Sequence, residues 1–226
     1  LRDGTDYVFI LNPDAVIEKN TLTKLVEAGE SDAQTGIIGP AINENGHMIY
    51  GGKVEWLRPE LFHNTKYKIP DIRYYIPGAA MLIKKSVIEK IGLLDGRYFL
   101  YFEDADYCAR TQQAGIKLKI VPKALVSHQS SSSTSTLGSA LLLRYHYRNA
   151  HLFNRKNGPW YIRLALPFWS VFIMIKQLAK IIFLPTKREI SKAILAGVID
   201  FYKGRFGRIS ANNESIRIYE YTKNSD

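Results

Sequence analysis

The apolar run Tyr7-Val8-Phe9-Ile10-Leu11 is followed directly by Asn12-Pro13-Asp14. A continuous apolar run of this length is typical of a strand that is buried on both faces of an α/β sheet. Proline cannot continue the hydrogen-bonded ladder, so Asp14 is expected at the carboxyl end of the strand, where ligands bind in open α/β sheets. Asp14 is therefore either an ordinary turn residue or a carboxylate that binds a divalent cation, which in turn neutralises a diphosphate.

A second stretch, Phe99-Leu100-Tyr101-Phe102-Glu103-Asp104-Ala105-Asp106, places three carboxylates directly after an aromatic run. The pattern predicts a helix that begins at the acids and stops near Gly115. Acids in a first helical turn are expected as helix caps, because free backbone N–H groups and the helix dipole favour negative charge there. Three acids behind aromatic side chains also fit a semi-dry site, in which paired carboxylates act as a base and as neighbours of a metal ion.

The remaining motifs lie between and after these two stretches. Asn43-Glu44-Asn45-Gly46 predicts a hairpin turn, and the aromatic residues scattered over 51–75 suit either stacking on sugar rings or packing on the core. Two short strands are predicted at 116–120 and 124–128. His128 ends the second strand and is either a satisfied hydrogen-bonding residue or a metal ligand. Gln129 to Ser139 is nearly all Ser, Thr and Gly, which predicts a flexible loop or lid.

The composition restricts the class of protein. With 226 residues and 46% apolar content the chain can bury a sizeable core, and its length suggests one or two domains. Cys108 is the only cysteine, which excludes an internal disulfide framework and a Cys-based zinc site and fits a reducing compartment. No signal peptide is visible, and the chain lacks an initiator Met, so we expect a fragment of a longer protein.

The positive charge is concentrated in one segment. Residues 1–136 carry 16 Lys/Arg and 16 Asp/Glu, whereas residues 137–208 carry 13 Lys/Arg and 2 Asp/Glu. An anionic partner is therefore expected: a membrane surface, a phosphate-bearing lipid or a nucleic acid. The cations interleave with Leu, Ile, Phe and Trp, which favours lipid, so no nucleic-acid partner is predicted.

The segment 160–184 is strongly apolar but contains Arg163, Lys176 and Lys180. Its longest charge-free run, Leu164 to Ile175, is shorter than the roughly 20 residues that span a bilayer. The flanking cations and aromatic residues favour an amphipathic helix in the plane of the membrane. A core helix of a soluble domain is the alternative.

The motifs Leu11–Ala15, Gly78–Ile83, Phe99–Cys108 and His128 resemble, in order and approximate spacing, those of inverting family 2 glycosyltransferases. They are most similar to rhamnosyltransferase-like bacterial enzymes that build surface polysaccharides, and the resemblance covers about residues 6–208. It implies an α/β fold of the GT-A type, a Rossmann-like sheet flanked by helices that takes a nucleotide sugar and Mg²⁺ or Mn²⁺.

The resemblance also implies roles for single residues. Asp14 would contact the cation that bridges the diphosphate, and His128 would complete the metal site or contact the phosphates. Asp104 matches the general base that deprotonates the acceptor hydroxyl, and Glu103 would orient the acceptor or share that role. Gly78 and Ala79 would line the cleft for the donor sugar and the acceptor, and Arg148 would meet a phosphate. The aromatic stretches themselves add two expected substrate contacts, Trp56 and Tyr101.

Three segments are expected on this basis. Residues 1–136 form a partial GT-A catalytic domain, 137–208 a basic helical region that associates with the membrane, and 209–226 a polar tail. Family members begin with a strand and a nucleotide-binding βαβ unit before the position of Asp6, and this part is missing here. We therefore expect an N-terminally truncated fragment that is weakly active or inactive by itself.

The expected function is the transfer of a sugar, with rhamnose as a candidate, from a nucleotide-diphosphate donor to a lipid-linked or polysaccharide acceptor, with inversion. The expected location is the cytoplasmic face of the cell membrane, as a peripheral protein. One alternative is a basic membrane- or nucleic-acid-binding module whose acids only cap a helix. Another is a metal-dependent nucleotidyltransferase or phosphohydrolase that uses Asp14, Asp104 and Asp106. The transferase requires Asp14, Glu103, Asp104 and His128 in one cleft.

Overall fold

The computed structural model describes residues 4–66, 73–128 and 139–209 of the chain. The predicted lid, apart from Ser139, and almost all of the predicted tail lie outside these residues. The strands of the described part are β1 (Tyr7–Leu11), β2 (Ala15–Ile17), β3 (Thr35–Glu44), β4 (His47–Ile49), β5 (Gly52–Val54), β6 (Leu61–His63), β7 (Tyr74–Tyr75), β8 (Ala80–Lys84) and β9 (Lys117–His128). Its α-helices are α1 (Thr21–Glu30), α2 (Lys85–Ile91), α3 (Glu103–Gln113), α4 (Ser139–Asn157), α5 (Trp160–Phe183) and α6 (Arg188–Tyr202).

The main sheet has the strand order β1-β8-β3-β9-β2, and β4 pairs with the end of β3. Strands β3 and β9 are parallel, and the other pairs are antiparallel. A second sheet of β6, β5 and β7 is antiparallel. The predicted α/β class is confirmed, and the mixed sheet with its helices is consistent with a GT-A-like domain.

Strand β1 is less buried than the sequence predicts. Among the described strands it pairs with β8 alone, and Leu11 is 37% exposed. The predicted burial is therefore reached only in part: side chains of β1 pack on both faces of the sheet, but an edge strand has a neighbour on one side only. The apolar side chains of β1 contribute to two clusters: Tyr7 and Phe9 pack against a cluster around Leu25 of α1, and Ile10 packs against the main core.

Turn chemistry explains the carboxyl end of β3. The predicted hairpin is present: Ile42 pairs with Ile49, and Asn45 and Gly46 both have positive φ, as a tight hairpin turn requires.

The two strands predicted at 116–120 and 124–128 form one strand, β9. Its ladder to β3 passes directly from Val121 to Leu125, so the proline between them lies where the pairing is irregular.

The main core joins the sheet to the C-terminal helices. Ile83 of β8, Phe102 before α3, Phe153 of α4 and Phe201 of α6 belong to one buried cluster. Helix α6 lies very close to α4, since a methyl group at Gly197 would come within 2.5 Å of the Arg144 carbonyl oxygen. The division into segments 1–136, 137–208 and 209–226 stays a prediction.

Candidate active site

A cavity of about 500 Å³ opens at the edge of the main sheet where β1, β3 and β9 end and β8 begins. Seven of the nine predicted site residues line it: Asp14, Gly78, Ala79, Tyr101, Glu103, Asp104 and His128. They come from four places in the sequence and meet because these strand ends and the first turn of α3 share one edge. The cleft that the transferase hypothesis requires is therefore present.

Asp104 is held rigidly in the first turn of α3. Its side chain is 9% exposed, and its Oδ2 accepts a hydrogen bond of 2.9 Å from the backbone N–H of Gly78. Its Oδ1 accepts a hydrogen bond of 2.7 Å from the backbone N–H of Ala105. These bonds fix the orientation of the carboxylate toward the cavity.

Glu103 differs from Asp104 in its hydrogen bonding. Its Oε2 is buried and has no hydrogen-bond partner among the described residues. Burial, together with the charge of Asp104, raises the pKa of Glu103 to about 7. Burial also raises the pKa of Asp104, although the N–H groups of Gly78 and Ala105 oppose this rise. The rise in pKa caused by desolvation is therefore larger than the fall caused by the backbone N–H groups at the helix N-terminus. Glu103 titrates in the range where a general base works well.

A chain of acids and imidazoles lines another part of the cavity. His128 Nε2 lies 3.2 Å from Asp14 Oδ1, and His128 Nδ1 lies 3.5 Å from Glu44 Oε1. The second oxygen of Glu44 lies 3.5 Å from Nδ1 of His63. Asn12 Nδ2 is 3.5 Å from His128 Nε2. His128 is thus contacted through both ring nitrogens, a common arrangement for a metal-binding imidazole.

The donor atoms of Asp14 and His128 fit a divalent cation. Two ligands about 2.1 Å from one ion and at right angles to each other are about 3 Å apart, close to the observed 3.2 Å. No group of three or more Asp, Glu, His or Cys side chains in the described part of the chain is placed to hold a metal ion. Further ligands would be substrate oxygens or water, as is usual for ions that bind phosphates.

The loop before α3 carries backbone strain. Phe99, Tyr101 and Phe102 all have positive φ, which is costly for large side chains. Asn149 of α4 stabilises this loop, because its amide donates to the carbonyl oxygens of Tyr98, Leu100 and Tyr101 at 2.6–3.0 Å. As a result Leu100 and Tyr101 face the cavity, whereas the side chains of Tyr98 and Phe102 are fully buried in the core.

Arg148 does not lie where the sequence predicts. It is 1% exposed, and its guanidinium donates to the carbonyl oxygens of Tyr98 and Gly207 at 2.9 and 2.8 Å. The prediction that Arg148 contacts substrate is therefore corrected: its donors bind backbone of the same chain, because α4 runs behind the strained loop.

Trp56 also lies outside the cavity lining. Its ring stacks on Phe153 of α4, with 5.8 Å between the ring centroids, and it packs against the main core. The alternative of packing on the core is correct for this aromatic residue, and its predicted stacking on a sugar is not supported.

Asp106 is structural. It is fully buried, and its carboxylate is paired with Arg110 at 2.9 Å and with Lys156 at 2.8 Å. It also accepts hydrogen bonds from Tyr98 and Asn157. A carboxylate so fully engaged cannot bind a catalytic metal ion, which counts against the phosphohydrolase alternative.

The sequence alone missed Glu44 and His63. Glu44 reads as a turn residue in the NENG segment, and His63 lies in a stretch without clear periodicity. A usable signal was present for Glu44, because parallel neighbouring strands end at the same edge of a sheet. Recognising 35–44 and 117–128 as such a pair would have placed Glu44 beside His128.

Comparison with known proteins supports the motif resemblance. No protein-family model matches the chain. The chain is 27% identical over 177 residues to the N-acetylglucosaminyl-diphospho-decaprenol L-rhamnosyltransferase of Mycobacterium tuberculosis, covering 69% of this chain and 57% of that protein. It is 25% identical over 219 residues to the dTDP-rhamnosyl transferase RfbF of Shigella flexneri, covering 92% of this chain and 72% of that protein.

The chain is similar in sequence to rhamnosyltransferases. This confirms the resemblance predicted from the motifs. The chain spans 57% of the length of its mycobacterial relative. Among solved structures, the mannosyltransferase PcManGT from Pyrobaculum calidifontis in complex with GDP-Man and Mn²⁺ matches with a TM-score of 0.43 and 12% identity, over 88% of this chain and 63% of that chain.

Proposed function

We propose that this chain is the acceptor-side and metal-side part of an inverting glycosyltransferase. One observation carries the proposal: Glu103 and Asp104 on α3 share a cavity with Asp14 and His128, which come from the ends of β1 and β9. The similarity to rhamnosyltransferases makes a nucleotide-diphosphate rhamnose the first donor to test, and a lipid-linked or polysaccharide hydroxyl the expected acceptor.

The acidic pair performs the proton transfer in this proposal. Asp104, oriented by the N–H of Gly78, takes the proton of the acceptor hydroxyl, and Glu103 shares this role as a coupled carboxyl. The acceptor oxygen forms a bond to the anomeric carbon while the bond from that carbon to the diphosphate oxygen breaks. A single displacement of this kind needs one base near the nucleophile, not two carboxyls on either side of a scissile bond.

Asp14 and His128 hold the cation in this proposal, and Mn²⁺ or Mg²⁺ bound there supplies positive charge to the leaving diphosphate. Glu44 orients the His128 ring through Nδ1. The backbone around Gly78 and Ala79 lies between the two halves of the site, where small residues let a sugar approach.

The test is a donor panel assayed with the gene product that contains this chain, with Mn²⁺ and with a chelator. We expect transfer to a hydroxyl acceptor, dependent on the cation and reduced about 10²–10⁴-fold in Asp104→Asn. Glu89→Gln, an exposed acid on α2, is the control and should keep full activity. Donor hydrolysis that is indifferent to acceptor, or full transfer by Asp104→Asn, would contradict the proposal.

A further inference from the structure

Helix α5 has its more apolar side facing outward. Its buried stripe consists of Ile162, Leu166, Ser170, Ile173 and Gln177, so two of five inward residues are polar. Its outer stripe consists of six large apolar residues that are each 50–75% exposed: Leu164, Phe168, Val171, Ile175, Leu178 and Ile182. A helix on the surface of a water-soluble domain shows the opposite pattern. The outer stripe is about 27 Å long at 1.5 Å per residue.

Two of the three charges of α5 lie beside this outer stripe. At about 100° per residue, the apolar stripe is centred opposite the buried stripe, with Lys176 on one flank and Arg163 on the other. Lys180 lies on the side of the buried stripe, near the end of the helix. The helix contains no Asp or Glu. Long basic side chains on the two flanks can extend to the level of lipid headgroups while the apolar stripe enters the acyl region.

We propose that the outer stripe of α5 docks this chain on an anionic lipid bilayer, with the helix axis in the plane of the membrane. Charge complementarity favours an anionic bilayer as the partner of this surface, because α5 carries basic residues and no acids. In a dimer through the same stripe, the basic residues of one copy would face those of the other. The negative surface potential of a cytoplasmic leaflet fits the basic flanks. The proposal goes beyond the proposed transferase function, because it concerns a surface that lies outside the cavity.

An in-plane position follows from what packs against α5. By length and composition α5 is the one helix of the described residues that could cross a membrane. However, Ile173 packs against Ile194 and Val198 of α6, and α6 carries Asp200 in an ion pair with Arg144 of α4. Crossing the bilayer would draw this ion pair and Lys176 into hydrocarbon, which is costly. Lying in the interface leaves them in water or at headgroup level.

The first experiment measures co-sedimentation of the full 226-residue chain with vesicles. We expect the chain to bind vesicles that contain phosphatidylglycerol and phosphatidylcholine. Binding to vesicles of pure phosphatidylcholine should be about tenfold weaker, and high salt should weaken binding to the anionic vesicles. Failure to bind the anionic vesicles would overturn the proposal. Resistance of the bound chain to extraction at alkaline pH would overturn the in-plane orientation. No donor or acceptor is present, so the outcome is independent of transferase activity.

The second experiment localises binding to the stripe. The triple variant Phe168→Ser, Ile175→Ser, Ile182→Ser should bind anionic vesicles more than about 100-fold less tightly, since each replacement removes apolar burial in the bilayer. These side chains are largely exposed, so the thermal unfolding temperature should change little. Leu93→Ser, at a position that is 72% exposed outside α5, is the matched control and should bind like wild type.

The third experiment tests the competing occupant. Size-exclusion chromatography with light scattering, in the absence of lipid, should give the same mass for wild type and for the triple variant. A wild-type oligomer that the triple variant converts to a monomer would assign the stripe to a second copy and overturn the proposal. Equal vesicle binding by wild type and triple variant would overturn it as well.

Discussion

The backbone N–H of Gly78 donates a hydrogen bond to Oδ2 of Asp104 at 2.9 Å. This bond ties the segment entering β8 to the first turn of α3, across 26 residues of sequence. A methyl group at Gly78 would lie only 3.5 Å from Cβ of Asp104, so the two segments are in close contact. The orientation of the acidic pair is therefore a property of the sheet and the helix together.

Glu103 gives a prediction about stability. Its pKa is about 7 in the folded chain, against 4.5 in a free side chain, so the folded state retains a proton that the unfolded state releases. The stability from this protonated carboxyl is fully present below about pH 4.5 and is lost as the pH rises through about 7. Glu103→Gln should thus be more stable than wild type at pH 8, by up to about 3 kcal/mol, and similar to wild type near pH 4.5.

Urea unfolding at several pH values measures this difference. Glu89→Gln, at an exposed position, should run parallel to wild type at every pH and serves as the control. Parallel curves for Glu103→Gln and wild type would show that Glu103 is not buried in its neutral form.

Asn149 gives a prediction about positioning. Asn149→Ala removes the donor shared by three carbonyl groups of the strained loop, so we expect a loss of about 1–3 kcal/mol in the free energy of unfolding. If the transfer reaction is as proposed, kcat should fall at least about tenfold, because the loop leads directly into Glu103 and Asp104.

Asn154→Ala is the matched control for Asn149→Ala. Asn154 is equally buried on α4 and bonds to Ala150 and Leu57, away from the loop. It should lower stability without lowering kcat when both variants are assayed well below their unfolding temperatures. Equal kcat values for the two variants would show that Asn149 stabilises the fold without positioning the acidic pair.

The proposed metal site predicts a difference between two histidines. His128→Ala should abolish tight binding of Mn²⁺ in the presence of thymidine diphosphate, and Glu44→Gln should weaken it about 10–100-fold by releasing the His128 ring. His47→Ala changes an exposed imidazole on β4 and should leave the affinity unchanged. Electron paramagnetic resonance of free Mn²⁺ measures the affinity without any turnover. Equal affinities for the His128 and His47 variants would exclude this site.

Gly197 predicts tight packing of α4 and α6. Gly197→Ala should destabilise the chain by about 1–3 kcal/mol, because the added methyl group meets the backbone carbonyl of Arg144 and a helix must shift. This loss opposes the gain of about 1 kcal/mol that alanine brings to a helix. Gly96→Ala, where a methyl group would have no neighbour within 4 Å, is the control and should be nearly neutral in thermal denaturation.

Local sequence determined the elements and most of the site. The helix from Glu103 to Gln113 follows from the acids of its first turn, and the hairpin at Asn45-Gly46 follows from its turn residues. These signals are readable because they depend on residues that are close in the chain. The chemical identity of Asp14, Asp104 and His128 was likewise visible, since acids and a histidine follow strand or aromatic signals.

Tertiary structure decided which of these residues lie together in the site and which of them bond to other parts of the same chain instead. Arg148 looks like a phosphate ligand in sequence, but α4 passes behind a strained loop and its guanidinium satisfies that loop's carbonyl groups. Glu44 looks like a turn residue, but the parallel pairing of β3 with β9 brings it to His128. Burial and hydrogen-bond partners depend on contacts between distant segments, and a linear pattern does not contain them. The same contacts between distant segments bring Asp14, after the first strand, and the acids Glu103 and Asp104 of α3 into one cleft.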